Sequence, residues 1–463
     1  MVSFLDWIVI IGYMLAMVGI GVYFKTSESL SSFAIADKKL GLSVLTATLL
    51  ATAVGGGSLT GGVGNSFASG LIEAPKVIIL LGINIFMGLF VAKKMRDVGG
   101  FTAPEMLGRV YGKNCQFIGG IFCSIYMMGA GPAMQSIALG SCIHVMLGID
   151  MKLGMIIGMI LILAYTLTSG MWGVAMTDYV QFIFLTLGVL ITTFFIFKDA
   201  GGWESISSNV PAEHLKVDTT GALKIIAATS LPVLIDGNRY ARFYSAKDGN
   251  TARLGTLIAS IPQSLLIILT IVLGMAAVNL LPADTHKDVV FSTLLLNYLP
   301  SGIKGICIAA LIAAIMSTAD SYMLTGATNF SVDIYKTKIN PNASDKQMLI
   351  VTKIGVLAIG LIGLGFALVL PDIMSVWTLS STAYVGGCLV PMLYGIFFNK
   401  KKSYKAALIA MLCGGTLALV LDMKGFVFLG LPAIVYGVIL SAILLFAITP
   451  FAKDAKYVDV RNK

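Results

Sequence analysis

Charge is what this chain has least of. Only 12% of its 463 residues are Asp, Glu, Lys or Arg, while 57% are hydrophobic. A soluble domain carries about 25% charged residues, so a purely water-soluble protein is excluded. Histidine is scarcer still: His144, His214 and His286 are dispersed, form no metal-ligand pair and accompany no nucleophile motif, which argues against an enzyme. The six cysteines (Cys115, Cys123, Cys142, Cys307, Cys388, Cys413) follow neither a disulfide nor a zinc spacing and read as small buried hydrophobes. The N-terminus lacks a basic n-region and a small-residue cleavage site, and carries Asp6 instead. Its apolar run continues to about Phe24, so it reads as a retained first helix rather than a signal peptide. No stretch outside the apolar runs has room for a kinase, nucleotide-binding or receptor module, and from Pro450 only fourteen residues remain. The work is expected to be done inside the lipid bilayer.

What is present are apolar stretches near twenty residues long, recurring throughout. They predict an all-α polytopic membrane protein of thirteen spans: 5–24, 43–69, 74–95, 115–148, 152–170, 173–198, 223–241, 254–281, 303–327, 347–370, 373–398, 403–422 and 428–449. The fourth is long, and is either tilted or broken at Pro132. With the N-terminus outside, 24 of the 32 Lys and Arg fall on the cytoplasmic side and 8 on the other. That bias orients the chain N-terminus out, C-terminus in, and explains the net charge of +9 without nucleic acid. Two outer loops exceed a turn, 199–222 and 282–302. The second has an apolar stripe (Val289, Leu294, Leu295, Tyr298) suited to a short helix over the outer mouth or to an ordinary surface helix.

Two spans look interrupted. The second carries Gly55, Gly56 and Gly57 in "ATAVGGGSLTGG", and the seventh has Pro232 mid-run with Asp236–Gly237 just after. Glycine and proline are the poorest helix residues. The breaks lie five spans apart, an odd offset that gives the two helices opposite orientations, as in an inverted five-plus-five repeat. Broken backbone at membrane depth is tolerated where it lines a cavity, and its freed carbonyls suit a cation. Close helix packing is the competing use of glycine; the paired positions favour a binding site.

The ninth span carries Ala314, Ser317, Thr318 and Ser321 on one face, with Asp320 at its edge. Hydroxyls and a carboxylate on an apolar helix make a hard-oxygen surface of the kind sodium takes. Asp178 is a second intramembrane acid, with no Lys or Arg near it in sequence. For Asp236, a local ion pair with Arg239 or Arg242 and a role in solute binding both stay open. Asp6 and Asp372 fall at predicted outer ends, and Glu73 and Lys76 read as rim residues.

The segments "LLATAVGGGSLTGG" (49–62), "TSGMWGVAMTDYVQF" (168–182), "GNRYARFYSAKDGNTARLG" (237–255) and "AALIAAIMSTADSYML" (309–324), in this order, resemble the sodium:solute symporter family, which includes bacterial proline, sugar, sialic acid and pantothenate carriers. The resemblance covers nearly the whole chain. It implies a leucine-transporter-like fold: a peripheral first helix and loop (1–42), a first five-helix repeat (43–198), an extracellular loop (199–222), a second repeat (223–398), and two C-terminal helices with a cytoplasmic tail (399–463). It further implies a sodium site from the carbonyls of Ala51, Val54 and Ala314 and the hydroxyls of Ser317 and Thr318. In some members a second ion is held by the acid matching Asp178 and by hydroxyls matching Ser317, Asp320 and Ser321. Asp320 departs from that pattern: either a carboxylate joins the second ion or the site is absent. The solute would lie near Ser58, Thr60, Gln135, Thr229, Pro232, Trp377, Ser380 and Tyr384, with Trp377 or Tyr384 as a lid or as an interfacial anchor.

The function implied is sodium-coupled import of a small organic solute (amino acid, carboxylate, sugar or vitamin) by alternating access in a bacterial plasma membrane. Na⁺ and the solute are its ligands and the bilayer its setting, with no nucleic acid and no obligate protein partner. Proton coupling through Asp178 and Asp320, and a membrane-embedded solute sensor, are the rival readings. No Arg or Lys is expected at mid-membrane in the cavity.

Overall fold

A computed structural model describes residues 2–24, 29–166, 170–216, 219–370, 372–398, 400–427 and 430–458. Lys25, Arg461, Lys463 and the first two residues of the 168–182 segment lie outside them. The described chain is almost wholly helical; its single sheet is the antiparallel pair Lys401–Lys402 with Lys456–Tyr457, which fastens the C-terminal segment near the start of the twelfth span.

Among the described residues ten helices are long and apolar enough to cross a membrane, and the bent pair Leu42–Ala53 plus Gly56–Ser69 makes eleven. The expected fifth span is a helix of 16 residues, Met151–Thr166. The seventh is two short helices, Thr219–Ser230 and Gly237–Ser245. Length and composition alone therefore do not carry the expected count of thirteen. The fourth span does not break at Pro132. Helix runs from Lys113 to Leu147, and a π-helical stretch at Gly129–Ala133 absorbs the missing proline donor.

The connections sort into two sets, and among the described residues the hydrogen bonds between connections stay within a set. In one, the Leu30 N–H donates to Asp345 at 3.2 Å and Thr102 to Asp333 at 2.9 Å. The Leu40 N–H reaches the Ser245 carbonyl at 3.0 Å. In the other, the Leu71 N–H donates to the His214 carbonyl at 2.9 Å, and Lys287 pairs with Asp372 at 3.2 Å. Asp6 there accepts from the Gly302 and Gly305 N–H groups at 2.7 and 2.8 Å. This is the alternation a polytopic chain requires, and it gives Asp6 and Asp372 structural roles that sequence did not suggest.

The ninth span, Ile303–Ile339, is the spine: 89% of its most apolar window is buried. The sixth span lies against it where Gly188 faces Ala310. The last three spans pack on one another where Gly386, Gly414 and Gly437 let backbones approach, the small-residue packing usual between membrane helices. Helix Val290–Tyr298, expected in the 282–302 loop, buries Leu294 and Leu295, so it is packed rather than a free surface helix. Among the six cysteines none is disulfide-bonded, and five are buried.

Candidate ion and solute site

The second span breaks where its sequence turns to glycine. Helix ends at Ala53; Val54 leaves the helical region (φ −118°, ψ 65°), and a new helix starts at Gly56 at an angle of 45°. The bend lies against the ninth span so closely that an added Cβ on Gly55 would collide with Thr318, and one on Gly56 with Ile315. Glycine is therefore required here for approach, not for flexibility.

Into this break the ninth span directs two hydroxyls. Ser317 Oγ lies 3.0 Å from the Ala51 carbonyl and 3.1 Å from that of Ala314. Thr318 Oγ1 lies 3.1 Å from the Ala314 carbonyl and 3.5 Å from that of Thr52. Four of the five groups expected at the sodium site thus converge, and Val54 is buried at the bend beside them. An uncharged cluster of hydroxyl and carbonyl oxygens is the donor set a monovalent hard cation takes, so the residues fit Na⁺.

Asp178 is buried a little further along, but it is not isolated. Arg242 Nη2 lies 3.3 Å from its Oδ2, a bridge 64 residues apart in sequence. The same Nη2 donates to Ser321 at 2.6 Å, and Arg242 Nε donates to Thr48 at 3.1 Å. Thr48 in turn donates to Asp178. Two of the groups expected at a second sodium site are thus joined by a guanidinium. Asp320 is buried on the same helix as Ser321.

The seventh span has its own break. Helix stops at Ser230, a short 3₁₀ turn follows at Pro232–Leu234, and Asp236 caps the next helix by accepting the Asn238 N–H at 3.0 Å. Its other oxygen accepts from Tyr322 at 3.1 Å. The local ion pair does not form: among the described residues Asp236 has no Lys or Arg nitrogen within 4.0 Å. Arg242 is only 1% exposed and Arg239 9%, so two cations that sequence places with the loops are interior.

Between the two breaks lies a cavity that runs toward Glu73 and Lys76. Ser58, Gln135, Thr229 and Trp377 line it, as expected. Thr60, Pro232, Ser380 and Tyr384 do not. Ser380 packs on Gly129, and Tyr384 sits behind the wall, its hydroxyl on the Ile235 carbonyl at 2.8 Å and its ring 5.5 Å from Tyr126. Trp377 is fixed by its indole N–H, which donates to the Ala228 carbonyl at 2.8 Å. Gln135 accepts the Gly57 N–H at 3.1 Å, so it serves the broken backbone too. Glu73 is not a rim residue: it is buried, lines the cavity, and pairs with Lys76 at 2.9 Å. Asp236, Arg239 and Arg242 also line the cavity, against the expectation that no arginine would. Tyr126 and Tyr322 complete a wall that sequence reading missed; aromatic rings on apolar spans look like packing until the partner spans are known.

A polytopic helical protein with two broken spans, converging oxygens at one break and, between the breaks, a cavity lined in part by charged and polar side chains has the build of a secondary transporter. Residues 33–414 match the sequence profile of the Sodium:solute symporter family, and the chain belongs to it. It is 28% identical over 429 residues to the high affinity choline transporter 1 of Homo sapiens, covering 85% of this chain and 72% of that one. It is 26% identical over 475 residues to the sodium/glucose cotransporter of Vibrio parahaemolyticus, covering 90% and 85%. Among solved structures, a Na⁺-coupled sialic acid symporter, outward-open and substrate-bound, superposes with a TM-score of 0.83 at 19% identity over 98% of this chain and 99% of that one. Mhp1 in its inward-facing conformation gives 0.58 at 14% identity, over 95% and 98%. The fold is leucine-transporter-like, the coupling ion is Na⁺, and the activity is symport of a small solute rather than catalysis.

Proposed function

We propose that this protein imports a small organic solute into a bacterial cell, using one Na⁺ held by Ala51, Val54, Ala314, Ser317 and Thr318. The observation that carries the reading is the approach of Ser317 to the Ala51 carbonyl and of Thr318 to the Thr52 carbonyl at the broken second span. Sodium there ties the bend to the spine helix and so favours one conformation; the solute favours the same one by bridging the two breaks. Coupling needs no more than that shared preference. The two five-helix repeats, 43–198 and 223–398, then rock about the cavity, and the extra helices stay peripheral.

The basic bias of one loop set supports an N-terminus outside and a C-terminus in the cytoplasm; with Arg239 and Arg242 removed from the count it is still 22 to 8. In that orientation the cavity runs outward. The Arg242 bridge supports a single sodium, since a guanidinium already meets Asp178 and Ser321. It also weighs against proton coupling through Asp178, whose charge is compensated.

The test is thermal unfolding of purified protein in NaCl and in KCl. A saturable stabilisation by Na⁺ alone, lost in Ser317→Ala and Thr318→Ala, is expected. Equal stabilisation by K⁺, or a sodium response surviving both substitutions, would refute the site.

A further inference from the structure

Asp236 and Arg239 are one helical turn apart at the start of Gly237–Ser245, where side chains three residues apart are neighbours. Both line the cavity, and both are buried. A pair kept for structure alone would close on itself, because an uncompensated interior charge is costly. This pair is held open. Arg239 is drawn aside by Asn84, whose Oδ1 accepts from Nη1 at 2.6 Å, and by Gln263 at 3.5 Å. Asn84 and Gln263 are themselves joined at 2.9 Å. Asp236 is drawn the other way, onto the Asn238 N–H and the Tyr322 hydroxyl.

The hydrogen-bond partners of the two charges differ. Around Asp236 the wall is aromatic: the Tyr126 ring centre lies 6.2 Å from that of Tyr322 and 5.7 Å from that of Trp377. Rings beside a carboxylate suit a cationic nitrogen, which gains from the π faces and from the acid together. Arg239 is hydrogen-bonded to the side-chain amides of Asn84 and Gln263, and a guanidinium steadied by neutral acceptors keeps donors for a carboxylate.

We propose, on the basis of the transport reading above, that the solute is a small zwitterion. Its cationic nitrogen sits at Asp236 among Tyr126, Tyr322 and Trp377, and its carboxylate meets Arg239. Such a ligand compensates both buried charges at once; a sugar compensates neither, a simple organic cation only one, and a simple carboxylate only the other.

The experiment is thermal unfolding of the full-length protein in Na⁺ with proline, glutamine, γ-aminobutyrate, glycine betaine and carnitine as zwitterions, and with choline, propionate and glucose as single-charge and neutral controls. Further sodium-dependent stabilisation by at least one zwitterion and by no control is expected. Asp236→Asn and Arg239→Gln should each weaken that zwitterion by about tenfold or more, the effect of one lost charge-assisted contact. Asparagine caps a helix as well as aspartate does, so Asp236→Asn keeps the fold; the stabilisation by Na⁺ alone, unchanged in both variants, reports that it has. Stabilisation by choline, propionate or glucose, by no zwitterion, or by a zwitterion equally in both variants overturns the proposal. Loss of the Na⁺ response in the unsubstituted protein would instead overturn the transport reading beneath it.

Discussion

At the proposed sodium site, Ser317 and Thr318 show how little is asked of side chains. Each gives one oxygen, and the backbone supplies the rest. Removing either hydroxyl is expected to lower sodium affinity by about tenfold to a hundredfold, the range for a contact to a charged group, measured by ²²Na⁺ binding. Gly55→Ala should match or exceed that loss, because its methyl collides with Thr318. These residues were legible in the sequence because helical periodicity places 314, 317 and 318 on one face and a glycine triplet announces a break. Arg242 was not: its partners Thr48, Asp178 and Ser321 come from three other spans, and nothing local pairs them. Asp236 was misleading for the opposite reason. Its sequence neighbours Arg239 and Arg242 suggest a pair, and long-range partners draw both away.

At the scale of elements, Arg242 joins four spans: the second through Thr48, the sixth through Asp178, the ninth through Ser321, and its own. Arg242→Gln leaves Asp178 buried without its cation and is expected to destabilise by about 3–5 kcal/mol, seen as a lower melting temperature. Adding Asp178→Asn should recover part of that loss, which a double-mutant cycle would measure. Most of the spans could be read from hydrophobic runs alone, since lipid demands apolar length; the short fifth and the divided seventh are the exceptions. Their interruptions could be read only as positions; that helix survives Pro132 but stops before Pro232 depends on packing. At Pro132 the chain is gripped on all sides, with Gly363 against the proline ring. At Pro232 the turn borders the cavity, and Val233 next to it faces in.

At the scale of the whole molecule, transport of one Na⁺ with a neutral solute moves one charge. A potential of 100 mV, negative inside, contributes about 2.3 kcal/mol to that step, or roughly fiftyfold in accumulation. In proteoliposomes loaded with potassium, valinomycin should therefore raise sodium-driven uptake of the identified solute; indifference to the ionophore would mean that a compensating charge travels as well. Loop alternation was visible in the sequence through its lysines. The cavity was not, since its walls assemble from spans far apart in the chain.

Asp6 gives this scale one further consequence. By gripping two amides at the head of the spine helix, it fastens the first span to the element that bears Ser317 and Thr318. An anchored helix makes a poor lever, so the rearrangement proposed for turnover is expected in its counterpart, the bent second span moving away from a stationary post. Deuterium labelling should find 302–306 slow to exchange whether or not sodium is added, while 54–60 responds. Asp6→Ala, by freeing the post, should let both segments exchange quickly.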